Sequence, residues 1–276
     1  MKLSYSSYDT YLKCPKKYHF MNSGIKPAEE ENKYFALYGI LIQKFFQKYI
    51  NDILPSKISV TEALIRSLLS REWQKILDKN YVDWSEPYVK QTSDEIYEEV
   101  YKDVIDNMKA FDFFNQCKSE VTINIKLKKS GDILDGRLDF IRKCPDGSIE
   151  ILDGKGTNHL DRVDVDQLYF YALLYFLNHK KLPKRLGFLF YRYKSIQYID
   201  FNQDLLIKFK DKLALAKEAI KKDKEFKPTL KMSKVCVWCP YKLMCQPYMD
   251  KREANSAKRS KMKADFDGDF ISLGGD

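Results

Sequence analysis

The sequence has no apolar run approaching the ~20 residues that a membrane-spanning helix needs. Its opening, MKLSYSSYDT, carries one lysine but no apolar segment of the kind a secretory signal places after its charged start. No segment repeats, and histidine is scarce, with only His19, His159 and His179. These absences set aside a membrane partner and secretion. The expected compartment is the cytoplasm, or the host-cell cytoplasm if the protein is viral, where disulfides are not the default fate of cysteine. The 276 residues are instead 44% hydrophobic and 32% charged, a globular balance that excludes a wholly disordered chain. The net charge of +9 permits a polyanionic partner without demanding one.

Apolar periodicity predicts helices over 1–20, 33–53, 59–79 and 88–117, the first limited by Pro15 and the second ended by Pro55. The period then changes to two. Strands are predicted over 121–129, 133–143 and 148–155, with Asp146-Gly147 turning the hairpin between the last two. Residues 162–179 read as a helix apolar on most sides, hence buried. A second hairpin over 185–201 turns around Lys194-Ser195, and 203–223 is a lysine-rich surface helix. Helices, antiparallel hairpins and a buried helix in this order predict an α/β or α+β class with a mixed sheet. Residues 1–250 are expected to form one domain. It holds a helical region at about 33–117, a sheet and helix at about 120–201, and a cysteine motif at 236–245. Beyond it, 251–263 has six basic residues and one acidic, whereas 265–276 has four acidic and none basic. That contrast predicts a disordered tail, basic and then acidic.

Three groups of residues carry chemistry. Asp139 falls late in one strand of the hairpin and Asp153 ends the next, while Asp153 and Lys155, two apart, share a face of an extended segment. Two carboxylates suit a hard cation such as Mg²⁺ or Mn²⁺, and a neighbouring lysine suits an attacking water or developing negative charge. Aspartates at strand ends also cap turns, so the pattern alone leaves both readings open. Gln167 and Tyr171, four apart, share a helix face. They can meet a nucleotide, or a satisfied amide can simply pack there. Finally, Cys236, Cys239 and Cys245 cluster in CVWCPYKLMC, and Cys14 precedes a proline at the far end of the chain. Four thiolates fit either Zn²⁺ or a [4Fe–4S] cluster, and such a site would join the two ends. Cys117 and Cys144 are solitary and read as ordinary thiols.

Five segments, taken in order, resemble the PD-(D/E)XK nuclease superfamily in its iron–sulfur branch, that of Cas4 exonucleases and RecB- and AddB-type nuclease domains. They are LSYSSYDTYLKCPKKYHF, GRLDFI, ILDGKGT, QLYFY and CVWCPYKLMC. The resemblance spans residues 3 to 248. It implies a restriction-endonuclease-like α/β core, a mixed central sheet flanked by helices, with an Fe–S staple joining the chain ends. It implies a metal-dependent deoxyribonuclease, an exonuclease processing single-stranded or end-containing DNA in recombination, replication or CRISPR-type pathways. Asp139, Asp153, Lys155, Gln167 and Tyr171 take the catalytic positions. Asp139, Asp153 and the main-chain carbonyl of Gly154 hold Mg²⁺ or Mn²⁺. Cys14, Cys236, Cys239 and Cys245 bind a [4Fe–4S] cluster in preference to zinc. Where the branch often has a metal-binding histidine after a glycine, this chain has Gln43 after Gly39. Its neutral oxygen suits Mg²⁺, directly or through water. The departure also motivates the alternative of a catalytically impaired, nuclease-like DNA-binding or scaffolding protein. The acidic residues of 264–276, interleaved with Phe266, Phe270, Ile271 and Leu273, suggest a docking peptide for a recombination or replication protein.

Overall fold

The computed structural model describes residues 1–28, 32–157, 159, 161 and 163–272, excepting the side chains of 233, 234 and 260–272. The chain divides into two compact units, Met1–Tyr8 with Glu31–Glu218, and Asp9–Glu30 with Ala219–Asp276. The sequence reading drew one domain through residue 250. The contacts separate the cysteine-bearing ends from the rest, because each set buries its own apolar side chains.

Along the chain, strand β1 (Lys2–Leu3) leads into helices α1 (Tyr5–Lys13) and α2 (Pro15–Asn22). Pro15 opens α2, where its missing N–H costs nothing, and Cys14 is the extended residue between the two helices. Helix α3 (Leu37–Lys48) runs through a π-turn (Tyr49–Ile53) into the short α4 (Leu54–Ser56). Pro55 therefore does not end the helix at its own position. The stop falls two residues later, where Lys57 turns left-handed with φ 57°. Helix α5 (Glu62–Lys79) starts on Thr61, whose side chain caps the Leu64 N–H. Helix α6 (Ser93–Ala110) starts on a reciprocal Thr92–Glu95 capping box. Residues 112–116, expected to continue that helix, form a 3₁₀ turn, and strand β2 (Cys117–Lys126) begins four residues earlier than the alternation suggested.

Strands β3 (Ile133–Lys143) and β4 (Ile149–Lys155) form the predicted hairpin. Gly147 takes a left-handed φ of 78° in its turn, and Asp146 accepts from the Ser148 N–H and hydroxyl. Helix α7 (Val165–His179) follows, then strands β5 (Arg185–Phe190) and β6 (Ser195–Ile199), then helix α8 (Gln203–Lys222). The sheet is mixed, as expected. β2 pairs antiparallel with one edge of β3. The other edge meets parallel β1 at Ile133–Leu134 and antiparallel β4 from Phe140 to Lys143. β4 then pairs parallel with β5, and β5 antiparallel with β6. Helices α3, α5 and α6 share a core with Phe140, Leu152, Leu189 and Tyr191 of the sheet. The buried Phe46 stacks on Tyr191 at 5.4 Å and 3° and on Phe114 at 4.5 Å. Truncating a phenylalanine so enclosed costs about 3–5 kcal/mol.

The second unit is small. Tyr11 donates to Asp223 at 3.0 Å, Thr229 to the Lys13 carbonyl at 2.9 Å, and Phe226 stacks on His19 at 4.8 Å. Phe20, Tyr241 and Cys245 form its apolar centre, with Ile25, Cys239 and Tyr248 packed on it. Helix α9 (Gln246–Ser272) runs into the segment expected to be disordered. Ala254, Ala257, Lys258 and Arg259 are strong helix formers, which the charge pattern outweighed in the sequence reading. The side chains of the acidic stretch 264–276 lie outside the described residues. No helix among the described residues is long and apolar enough to cross a membrane.

Candidate active site

The β3–β4 ladder pairs Phe140 with Leu152 and no further. Asp139 and Asp153 are the next residues on each strand, where the two part. The gap is bridged by the Gly154 N–H, which donates to Asp139 Oδ2 at 2.9 Å. Alternation along β4 turns Leu152 toward the helical core, whereas Asp153 and Lys155 share the other face. There Lys155 Nζ lies 2.5 Å from Asp153 Oδ2 and donates to Gln167 Oε1 at 2.9 Å. Gln167 Nε2 in turn donates to the Tyr171 hydroxyl at 2.9 Å. The amide that sequence alone left between core and cleft is thus fixed end to end by Lys155 and Tyr171. Four of the five residues placed in catalytic positions, Asp153, Lys155, Gln167 and Tyr171, form one continuous polar string, and Asp139 is tied to the end of β4 through the Gly154 N–H.

Gln43 reaches the same place from α3. Gly156, just past β4, comes so close to this helix that a β-carbon would sit 2.9 Å from both the Gly39 α-carbon and Tyr38 Cδ1. One turn further along, Gln43 presses on Gly154: a β-carbon there would lie 2.7 Å from Gln43 Oε1 and would also collide with the Tyr191 hydroxyl. Tyr191 donates to Gln43 Oε1 at 2.5 Å, and Gln43 Nε2 donates to Glu120 Oε1 at 3.1 Å.

Glu120 and Tyr191 belong to the site and were not singled out from sequence. Register pairs on either side, Ser119 with Phe140 and Val121 with Leu138, leave Glu120 opposite Asp139. Glu120 itself is left-handed, with φ 58°. For a residue with a β-carbon that costs on the order of 1 kcal/mol. Its side chain also meets Arg137 Nε at 2.5 Å.

This is an anionic site out of water. Burial, then the charge of Asp153, holds the Asp139 carboxyl well above the usual carboxylate range, against the Gly154 N–H. Burial raises Asp153 as well, partly offset by Lys155. Tyr171 and Tyr191 are both pushed up by burial and by the two aspartates, so each keeps its proton at neutral pH. Asp153 Oδ2 and Glu120 Oε2 have no hydrogen bond, only the ion contacts of Lys155 and Arg137. Among the described residues no three His, Cys, Asp or Glu side chains close into a ready-made metal cage. The donor chemistry nevertheless suits a hard cation: buried carboxylate oxygens whose ionised form a divalent ion would stabilise. His159 is exposed, with its backbone N–H donating to the Thr157 hydroxyl oxygen.

In the second unit Cys14, Cys236 and Cys245 are buried and Cys239 is partly so, and all are free thiols. Burial raises the Cys236 thiol, and the charges of Cys14, Cys239 and Cys245 raise it further. Burial also raises Cys239. Thiols suit a thiophilic centre by donor type, although among the described residues no three of them close into a metal-holding group. Cys117 and Cys144 belong to the first unit, and burial pushes the Cys117 thiol up to about 12.

The sheet, the split hairpin carrying D-x-K and the glutamine–tyrosine helix describe a nuclease-type core. The chain belongs to the PD-(D/E)XK nuclease superfamily, whose sequence profile matches residues 2–246. No curated protein matches it. Among solved structures, the chain is similar to a Eubacterium rectale protein designated, though not demonstrated, to be an exonuclease. The identity is 14%, the TM-score 0.47, and 80% of each chain is covered. It is also similar to a protein named SSO0001, at 10% identity and TM-score 0.35, covering 88% of this chain and 85% of that one.

Proposed function

We propose that this protein is a metal-dependent DNA nuclease, an exonuclease acting on DNA ends, of the Cas4- and RecB-type iron–sulfur branch. The observation that carries this is the polar string Asp153–Lys155–Gln167–Tyr171, with Asp139 facing it across the opened hairpin. Asp139, Asp153 and the Gly154 carbonyl would hold Mg²⁺ or Mn²⁺. When bound, such an ion polarises the phosphate and lowers the pKa of a coordinated water. Lys155, aimed by Asp153 and Gln167, keeps an ammonium where it can orient the attacking water and offset charge on the phosphate. Tyr171 accepts from Gln167 and retains its own proton, so it can donate to a phosphate oxygen. Lysines and arginines around the site would grip the backbone, with affinity falling as salt rises.

Cys14, Cys236, Cys239 and Cys245 would hold a [4Fe–4S] cluster that ties both chain ends into the second unit. The acidic segment 264–276 is the candidate contact for a recombination or replication protein. Loss of partner binding on deleting it is the expected result.

The deciding experiment is anaerobic purification followed by cleavage of end-labelled single- and double-stranded DNA with Mg²⁺ or Mn²⁺, beside Asp153→Ala. Metal-dependent cleavage lost in the variant supports the nuclease. Salt-sensitive DNA binding without cleavage in either protein favours the impaired, scaffold-like reading that Gln43 motivates.

A further inference from the structure

Gln43 is the residue that departs from the expected metal-binding histidine, yet its amide is engaged at both ends. A carboxylate only accepts hydrogen bonds, so the Gln43 amide must turn Nε2 to Glu120 and Oε1 to Tyr191. Tyr191 is locked in turn by its stack on Phe46 and by Asn107, which donates to its carbonyl at 2.8 Å. Glu120 stands in the row next to Asp139, one strand further from Asp153. The left-handed backbone at Glu120 is an unfavourable conformation maintained at the one position of β2 opposite a candidate metal-binding aspartate. Its side chain is only 6% exposed.

We infer that Glu120 is a third carboxylate of the metal site, acting on the ion through coordinated water, and that Gln43 is a positioning residue that holds Glu120. This rests on the metal-site reading above. Mg²⁺ and Mn²⁺ keep several waters, which need oriented acceptors beyond the inner ligands. The chain thus replaces a neutral ligand on α3 with an anion on β2, steered from α3.

The test is Mn²⁺ binding to the full-length protein, followed by the electron paramagnetic resonance of free Mn²⁺. Unaltered protein should bind, and Asp153→Asn should abolish binding. If either control fails, the metal-site reading fails and not this inference alone. Given those controls, Glu120→Gln should weaken affinity about 10- to 100-fold, as outer-shell partners of metal sites typically do. Glu120→Asp, which keeps the charge, should retain part of the affinity. Gln43→Ala should weaken binding in the unaltered background but have no further effect in Glu120→Gln, because it acts only through Glu120. Melting of each metal-free variant confirms folding. Equal affinity in Glu120→Gln, Glu120→Asp and unaltered protein overturns the role of Glu120. A full additional loss from Gln43→Ala on top of Glu120→Gln overturns the positioning role and makes Gln43 a ligand.

Discussion

Gly156 and Gly39 meet backbone to backbone: a β-carbon on Gly156 would lie 2.9 Å from the Gly39 α-carbon. This approach lets α3 deliver Gln43 to the face of Gly154, and it needs hydrogen in place of a side chain.

Gly156→Ala should therefore force α3 away from the end of β4. Overpacking of this kind costs about 1–3 kcal/mol. A thermal melt should fall by several degrees, at about 2–4 °C per kcal/mol for a chain of this size class. DNA cleavage should fall by more than the lost folded fraction, since Gln43 moves with the helix. A melt and a cleavage rate equal to those of unaltered protein would refute the close packing.

Lys155→Ala separates chemistry from metal binding. The ammonium is held between Asp153 and Gln167 and is no ligand. Single-turnover cleavage should drop about 10²–10³-fold, the scale of losing one preorganised stabilising group. Mn²⁺ affinity should be unchanged or tighter, because a competing cation beside Asp153 is gone. Parallel rate and binding measurements check both halves.

The raised Asp139 and Asp153 carboxyls give the metal-free protein a definite pH response. The folded state retains protons that the unfolded chain has released. The contribution of these two groups is thus most favourable at acid pH and declines as pH rises from the ordinary carboxylate value through the raised one. Asp139→Asn should raise the melting temperature by a few degrees at pH 8 and by nothing near pH 4. Added Mg²⁺ should stabilise the unaltered protein at pH 8 and not the variant. Calorimetry across that range decides it.

The cysteines sort by unit. Alanine at Cys14, Cys236, Cys239 or Cys245 should each remove the brown colour and the roughly four irons per chain expected of the cluster. Alanine at Cys117 or Cys144 should leave both in place. The Cys117 thiol, pushed up to about 12, should also resist iodoacetamide at pH 8. Iron analysis and mass spectrometry after alkylation read these outcomes. Zinc in place of iron would leave a colourless protein.

The hairpin of Asp139 and Asp153 was legible because strand alternation and a turn pair are local signals, and Lys155 followed from the two-residue period. Gln167 and Tyr171 were legible as a helical i, i+4 pair, though only the fold shows that Lys155 completes their hydrogen bonds. Glu120 was hidden because apolar alternation seemed to begin at Val121. The reversal of the backbone at Glu120 accompanies side-chain contacts with Gln43 and Arg137 that no local propensity announces. Tyr191 was one aromatic among many at a strand end, and its place depends on Phe46 of a distant helix. The division into two units escaped notice because a linear reading groups neighbours in sequence, whereas the second unit draws on both ends.

That second unit, made of residues 9–30 and 219–276, imposes an order on biogenesis. On the ribosome its first segment emerges early and must wait while the whole intervening unit is made, on the order of ten to forty seconds at 5–20 residues per second. The first unit has a core of its own, and Cys14 waits without its three companions until residues 236–245 have been made. Any inorganic centre held by these cysteines is then loaded last. A chain stalled before residue 236 would hold only Cys14 of the four and could not complete any centre that needs all four thiols.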